Sequence, residues 1–145
     1  MPVNGEFNIS WGFLSTAFLM LSLIFVMRML PRFMARVPFV GPAEVAEKMK
    51  ANEDLLILDV RTPGEFASDH PRGAMNLPVG DLKARLAEIP EANLESLKAT
   101  PVYVICASNS RAASAARVLK GKGFSSLAVI DGGVGKWKRQ GCPMG

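Results

Sequence analysis

PVYVICASNSRAASAARVLKGKG, residues 101–123, decides the fold. Its first six residues form an apolar run, which marks a strand buried on both faces. Four small residues follow Cys106, namely Ala107, Ser108, Asn109 and Ser110. Arg111 and an Ala-rich helix come next, and the helix ends in glycines. Two similar apolar runs, LLILDV (55–60) and SSLAVI (125–130), and the shorter AMNLP (74–78) read as further strands. AEVAEKMKA (43–51), with Val45 and Met49 four apart, reads as a helix. So does DLKARLAEI (81–89), with Asp81 as N-cap and Leu82, Leu86 and Ile89 on one face. DGGVGKWKRQG (131–141) is a glycine turn with a short helix, and Val37 to Pro42 is a linker. RTPGEFASDHPRG (61–73), broken by Pro-Gly and Pro-Arg-Gly, reads as a loop. Apolar strands alternating with helices predict an α/β fold whose parallel sheet is covered on both faces.

Upstream the character changes. Of eight Met, five lie in the first 34 residues, and of eight Phe, six lie in the first 39. Ile9 to Met27 contains neither charge nor proline. Nineteen helical residues reach about 28 Å, close to the ~30 Å hydrocarbon core of a bilayer. Trp11 at one end suits lipid headgroups, Arg28 and Arg32 close the other, and Pro31 marks the exit. Glu6 before the run, and arginines after it, speak against a cleaved signal peptide. The expected organisation is a short extracytoplasmic segment (1–8), a transmembrane helix (9–30), a juxtamembrane linker (31–41) and one folded domain (42–145). Positive charge only after the span places that domain in the cytoplasm, at the inner or plasma membrane.

The formal net charge of +4 divides evenly, with +2 in residues 1–36 and +2 in residues 37–145. No Lys/Arg run occurs, so nucleic acid is not an expected partner. Two cysteines are too few for a disulfide framework. No P-loop, dinucleotide motif or zinc spacing is present, so neither a cofactor nor a metal is expected.

Ligands of parallel sheets bind beyond the carboxyl ends of the strands. There Cys106 opens a loop that runs into a helix N-terminus, where backbone N–H groups favour anions and a thiolate nucleophile. Ala107, Ser108, Asn109, Ser110 and Arg111 form the candidate anion-binding loop around it. Asp59 and Arg61 end the neighbouring strand and are expected to brace the loop as an ion pair. Glu65 is expected to pair with an arginine, His70 to be structural, and Trp137 to plug the core. Cys142 reads as an incidental exposed cysteine, with a role as resolving thiol the alternative.

Three segments together carry a resemblance. LDVRTPGEFASDHPRGAMNLP (58–78), CASNSR (106–111) and DGGVGKWKRQGCP (131–143) resemble, in order, the signature, active loop and closing segment of the rhodanese family. The resemblance spans about 40–143 and implies a five-stranded parallel sheet with helices on both faces. It implies sulfur transfer, in which Cys106 takes the outer sulfur of a small donor anion such as thiosulfate. A thiol or cyanide-like acceptor then takes it from the persulfide. Fold-sharing phosphatases have one residue more between Cys and Arg, so the spacing of five from Cys106 to Arg111 favours sulfur over phosphate. Many members carry a glycine in the middle of this loop, where the sequence has Asn109 (or Ser108, depending on register); asparagine tolerates the left-handed conformation. The sequence-level reading is thus a membrane-anchored sulfurtransferase in contact with the lipid bilayer and a membrane protein. The alternative is a catalytically idle module that binds such a protein.

Overall fold

A computed structural model describes residues 11–35 and 37–145, without the side chains of Trp11, Phe13 and residues 31–35. The chain divides into two compact units, residues 1–30 and residues 31–145.

In the first unit, helix α1 begins at Trp11 and continues to Ala35. Pro31 therefore does not end it, although it leaves the Met27 carbonyl without its helical N–H partner. The expected segment 1–8, together with Ile9 and Ser10, lies outside the described residues. Among the described residues no helix is long and apolar enough to cross a membrane, so the transmembrane helix expected over 9–30 is not supported.

The second unit carries a five-stranded parallel sheet, as the resemblance implies. Its strands are β1 (Phe39–Val40), β2 (Leu56–Asp59), β3 (Met75–Asn76), β4 (Val102–Ile105) and β5 (Leu127–Ile130), in the order β1-β5-β4-β2-β3. All pairings are parallel, with Leu58 opposite Val104 and Val104 opposite Val129. Six helices surround the sheet: α2 (Pro42–Lys50), α3 (Pro63–Ser68), α4 (Leu82–Glu88), α5 (Glu91–Ala99), α6 (Ser110–Gly121) and α7 (Gly133–Arg139).

Alternation along the strands sorts the core into two layers. Leu58, Val104 and Val129 pack with Leu82 and Leu86 of α4, Leu94 of α5 and the Ala face of α6. Ile57, Ile105 and Ile130 pack on the other side with Val45 of α2 and Trp137 of α7. Both faces of the sheet are therefore dry, which is why its strands read as unbroken apolar runs.

Four local expectations change. The linker at 37–42 contains β1, two residues held against β5. The loop at 61–73 contains α3, because Thr62 and Glu65 form a reciprocal capping box. Glu91–Ala99 is a helix that the sequence reading passed over. Asp81 stands at the N-cap of α4, yet its side chain makes no capping bond there.

Candidate active site

β4 is the central strand, and Cys106 follows its last residue. The loops after β2 and β5 flank it on either side. The thiol-bearing residue is 1 % exposed, packed with the α4–α6 layer. Its carbonyl accepts a hydrogen bond from Val134 N–H at 2.9 Å, tying the loop to the start of α7.

The contact with the β5 loop is close. Gly133 has φ +61°, and a Cβ there would lie 2.3 Å from the Cys106 carbonyl oxygen and 2.5 Å from that of Ala107. Only glycine lets the two backbones approach so closely. Asn109 completes the connection. Its Oδ1 accepts from Gly132 N–H at 3.0 Å, and its Nδ2 donates to Asp131 Oδ1 at 3.3 Å. Lys136 in turn pairs with Asp131 at 2.8 Å. Asn109 has φ −150°, so the left-handed conformation expected of it is not adopted. Its side chain is used as a clamp that glycine lacks.

On the β2 side, Arg111 in the first turn of α6 donates two parallel bonds to Glu65, at 2.7 and 2.8 Å. Such bidentate pairs fix orientation as well as charge. Arg111, reinforced by Thr62, holds the Glu65 carboxyl far below the usual carboxylate range. Glu65 correspondingly raises Arg111 above its ordinary value. Beneath them Arg61 is sandwiched between carboxylates. It bonds Asp59 at 2.7–3.0 Å and Asp69 at 3.1 Å, with Asp59 fully buried and Arg61 4 % exposed. Asn76 donates to the carbonyls of Asp59 and Arg61 at 3.0 and 2.9 Å, fixing the turn between them. Lys138, and then Arg61, lower the Asp69 carboxyl.

The structure therefore brings Cys106, Asn109 and Arg111 together with Glu65, and places Asp59 and Arg61 below them as a brace. Ala107, Ser108 and Ser110 form the exposed rim of the loop. His70 stacks on Phe66 at 3.9 Å and bonds the Phe66 carbonyl, a structural placement. Trp137 is fully buried and donates to the Pro143 carbonyl at 2.9 Å. Cys142 is buried rather than exposed, and burial raises its thiol pKa. It packs in the α2–α7 layer, opposite the layer that holds Cys106, and both cysteines are free. Sequence reading missed Gly133, Asp131 and Lys136 as loop supports; the only available signal was the Asp-Gly-Gly turn itself. Among the described residues no group of three metal-ligating side chains forms.

A strand-end cysteine, a loop sealed by a glycine too close for any Cβ, and a following arginine locked to a glutamate agree with a family comparison. The Rhodanese-like domain profile matches residues 42–140. The chain belongs to the rhodanese-like family. A sulfurtransferase of Allochromatium vinosum is 30% identical over 100 residues, covering 69% of this chain and 87% of that protein. The thiosulfate sulfurtransferase GlpE of Pseudomonas putida is 33% identical over 97 residues, covering 67% and 82%. The crystal structure of the Alr3790 protein from Anabaena superposes with a TM-score of 0.64 at 27% identity, covering 73% of this chain and 81% of that one.

Proposed function

We propose that this rhodanese-like chain is an active sulfurtransferase that carries sulfane sulfur on Cys106. The supporting observation is the position of Cys106 at the carboxyl end of the central strand, with its loop clamped on both sides. The Cys106 thiolate attacks the outer sulfur of thiosulfate. The sulfur–sulfur bond of the donor breaks, and sulfite leaves with the electron pair. The outer sulfur of the resulting persulfide is then attacked by a thiolate or cyanide, which departs carrying it, and the Cys106 thiolate is restored. Atoms and electrons balance without an outside oxidant. The loop N–H groups at the start of α6 stabilise the anionic donor, and the Arg111–Glu65 pair holds the loop in register.

The second part of the reading is that the chain attaches to the cytoplasmic face of a lipid bilayer through α1. Large apolar side chains are exposed along α1, including Phe18 (73 %), Leu19 (67 %) and Phe25 (62 %). An apolar surface of that size needs a cover. Arginines 28, 32 and 36 follow it, and their charge suits the anionic cytoplasmic leaflet.

The full chain in mild detergent, incubated with thiosulfate, should gain one sulfur atom by intact mass. Cyanide should remove it, and Cys106→Ser should never acquire it. No gain with thiosulfate or 3-mercaptopyruvate, or a Cys106→Ser chain that keeps its cellular role, would sink the sulfurtransferase reading in favour of a binding module. Recovery of the chain in the soluble fraction after membrane flotation would refute bilayer attachment.

A further inference from the structure

Helices α4 and α6 leave a groove between them, over the layer that buries Cys106. Lys83, Ser114, Arg117, Val118, Gly121 and Lys122 line it, and it encloses about 450 Å³. That volume falls within the ~300–1,000 Å³ usual for ligand sites. Three cations and no carboxylate line it. Elsewhere in the domain cations are largely matched, Lys98 with Glu95, Lys136 with Asp131 and Lys138 with Asp69. Lys83, Arg117 and Lys122 form no ion pair among the described residues. The excess extends beyond the groove. From Arg111 onward seven Lys/Arg stand against one acid, Asp131, so positive charge is concentrated from α6 to the end of the chain.

Position gives the groove its meaning. Ser110, Ser114, Arg117 and Gly121 form one stripe along α6. The stripe begins where the Cys106 loop ends. Ser114 lies about 6 Å and Gly121 about 17 Å along the helix axis from Ser110. An extended segment of about five residues covers that length.

We propose that this groove docks a short acidic segment of a sulfur-accepting protein and so presents that protein's thiol to the Cys106 loop. The inference rests on the sulfur-transfer reading and adds the acceptor's class to it. The groove is open along its length, and an extended acidic segment matches the α6 stripe in both length and charge. Charge complementarity of this kind raises encounter rates and selects partners.

The test uses the full chain in mild detergent. The probe is a synthetic peptide with one cysteine, a short glycine spacer and a run of glutamates, compared with its serine counterpart. Fluorescence anisotropy reads binding, and the rate of sulfur loss from persulfide-loaded protein reads transfer. The glutamate peptide should react about ten-fold faster than the serine peptide, and high salt should erase the difference. The triple variant Lys83→Glu, Arg117→Glu, Lys122→Glu should also erase it, while transfer to cyanide stays at the parent rate. The three side chains are exposed, and the triple glutamine variant, which removes charge without adding repulsion, should fall between the two. Equal binding and equal rates for both peptides would overturn the proposal. So would charge reversal that leaves the peptide's advantage intact, or that abolishes binding to phosphatidylglycerol vesicles but not to the peptide. If no persulfide loads, the sulfurtransferase reading fails, and anisotropy alone still decides the groove.

Discussion

Replacing Gly133 with alanine tests the reasoning about the site most sharply. At φ +61° the new residue is held in the left-handed region, which costs about 1–2 kcal/mol. Its Cβ also falls 2.3 Å from the Cys106 carbonyl oxygen and 2.5 Å from that of Ala107. Backbone is a poor shock absorber, so the Cys106 loop must retreat by about 1 Å. Overpacking of this kind adds about 1–3 kcal/mol, for a total of about 2–5 kcal/mol. A displacement of about 1 Å at reacting atoms can lower a rate about 100-fold. Gly73→Ala supplies the control, because Gly73 has φ +73° but nothing lies within 4 Å of a Cβ built there. It should lose only the conformational part, about 1–2 kcal/mol, and leave sulfur loading untouched. Urea unfolding followed by tryptophan fluorescence gives the stabilities, and single-turnover reaction with thiosulfate gives the loading rate. If the two variants prove equally stable and equally active, the close approach of Gly133 to the Cys106 loop does not hold that loop in place.

Three further expectations follow from the geometry. Asp59→Ala leaves the Arg61 guanidinium buried with less compensation, and should lower stability by about 3–5 kcal/mol in chemical denaturation; a loss below 1 kcal/mol would contradict the brace. The Glu65 carboxyl is held down in the folded state, so its contribution is complete above the unfolded carboxylate pKa of ~4.3 and is lost as pH falls below that value. Because Glu65 is about a third exposed, the effect is screened, and Glu65→Gln should show as a shallower loss of stability on acidification, measured against the parent chain. Asn109→Gly restores the family's common loop residue but removes two hydrogen bonds to the β5 loop. It should cost about 1–2 kcal/mol and slow sulfur loading, whereas a faster enzyme would show that the clamp restrains the reaction.

The sheet was readable because it is dry on both faces, so β2, β4 and β5 each appear as an apolar run. Phe39–Val40 escaped detection because two residues carry no period, and only pairing with β5 makes them a strand. α3 was hidden behind Pro63 and Gly64, which read as breakers although proline is at home in a first turn. Within the site, Cys106 and Arg111 were legible from local chemistry, a strand end followed by a tight loop and a helix. Contacts across the fold were not. The bond from Asn109 to Gly132 and the fit of Gly133 against Cys106 depend on how closely two loops approach, and no local pattern records that. Cys142 misled for the same reason, since its burial is set by packing against α7 rather than by its place near the tail.

The strand order also sets a timetable for synthesis. β1 pairs with no strand but β5, and Phe39 waits for Val129, ninety residues later in the chain. At ribosomal speeds of about 5–20 residues per second, that wait lasts roughly 5–20 s. Over the last stretch of it, from Ile105 to Val129, β4, the future centre of the sheet, has one open edge, and Cys106 is already made without the loop that will clamp it. Domain closure therefore coincides with completion of the site. A nascent chain stalled before Leu127 would hold every residue from Cys106 to Arg111 and still lack a working cradle. Its unpaired β4 edge would be the surface most in need of a chaperone.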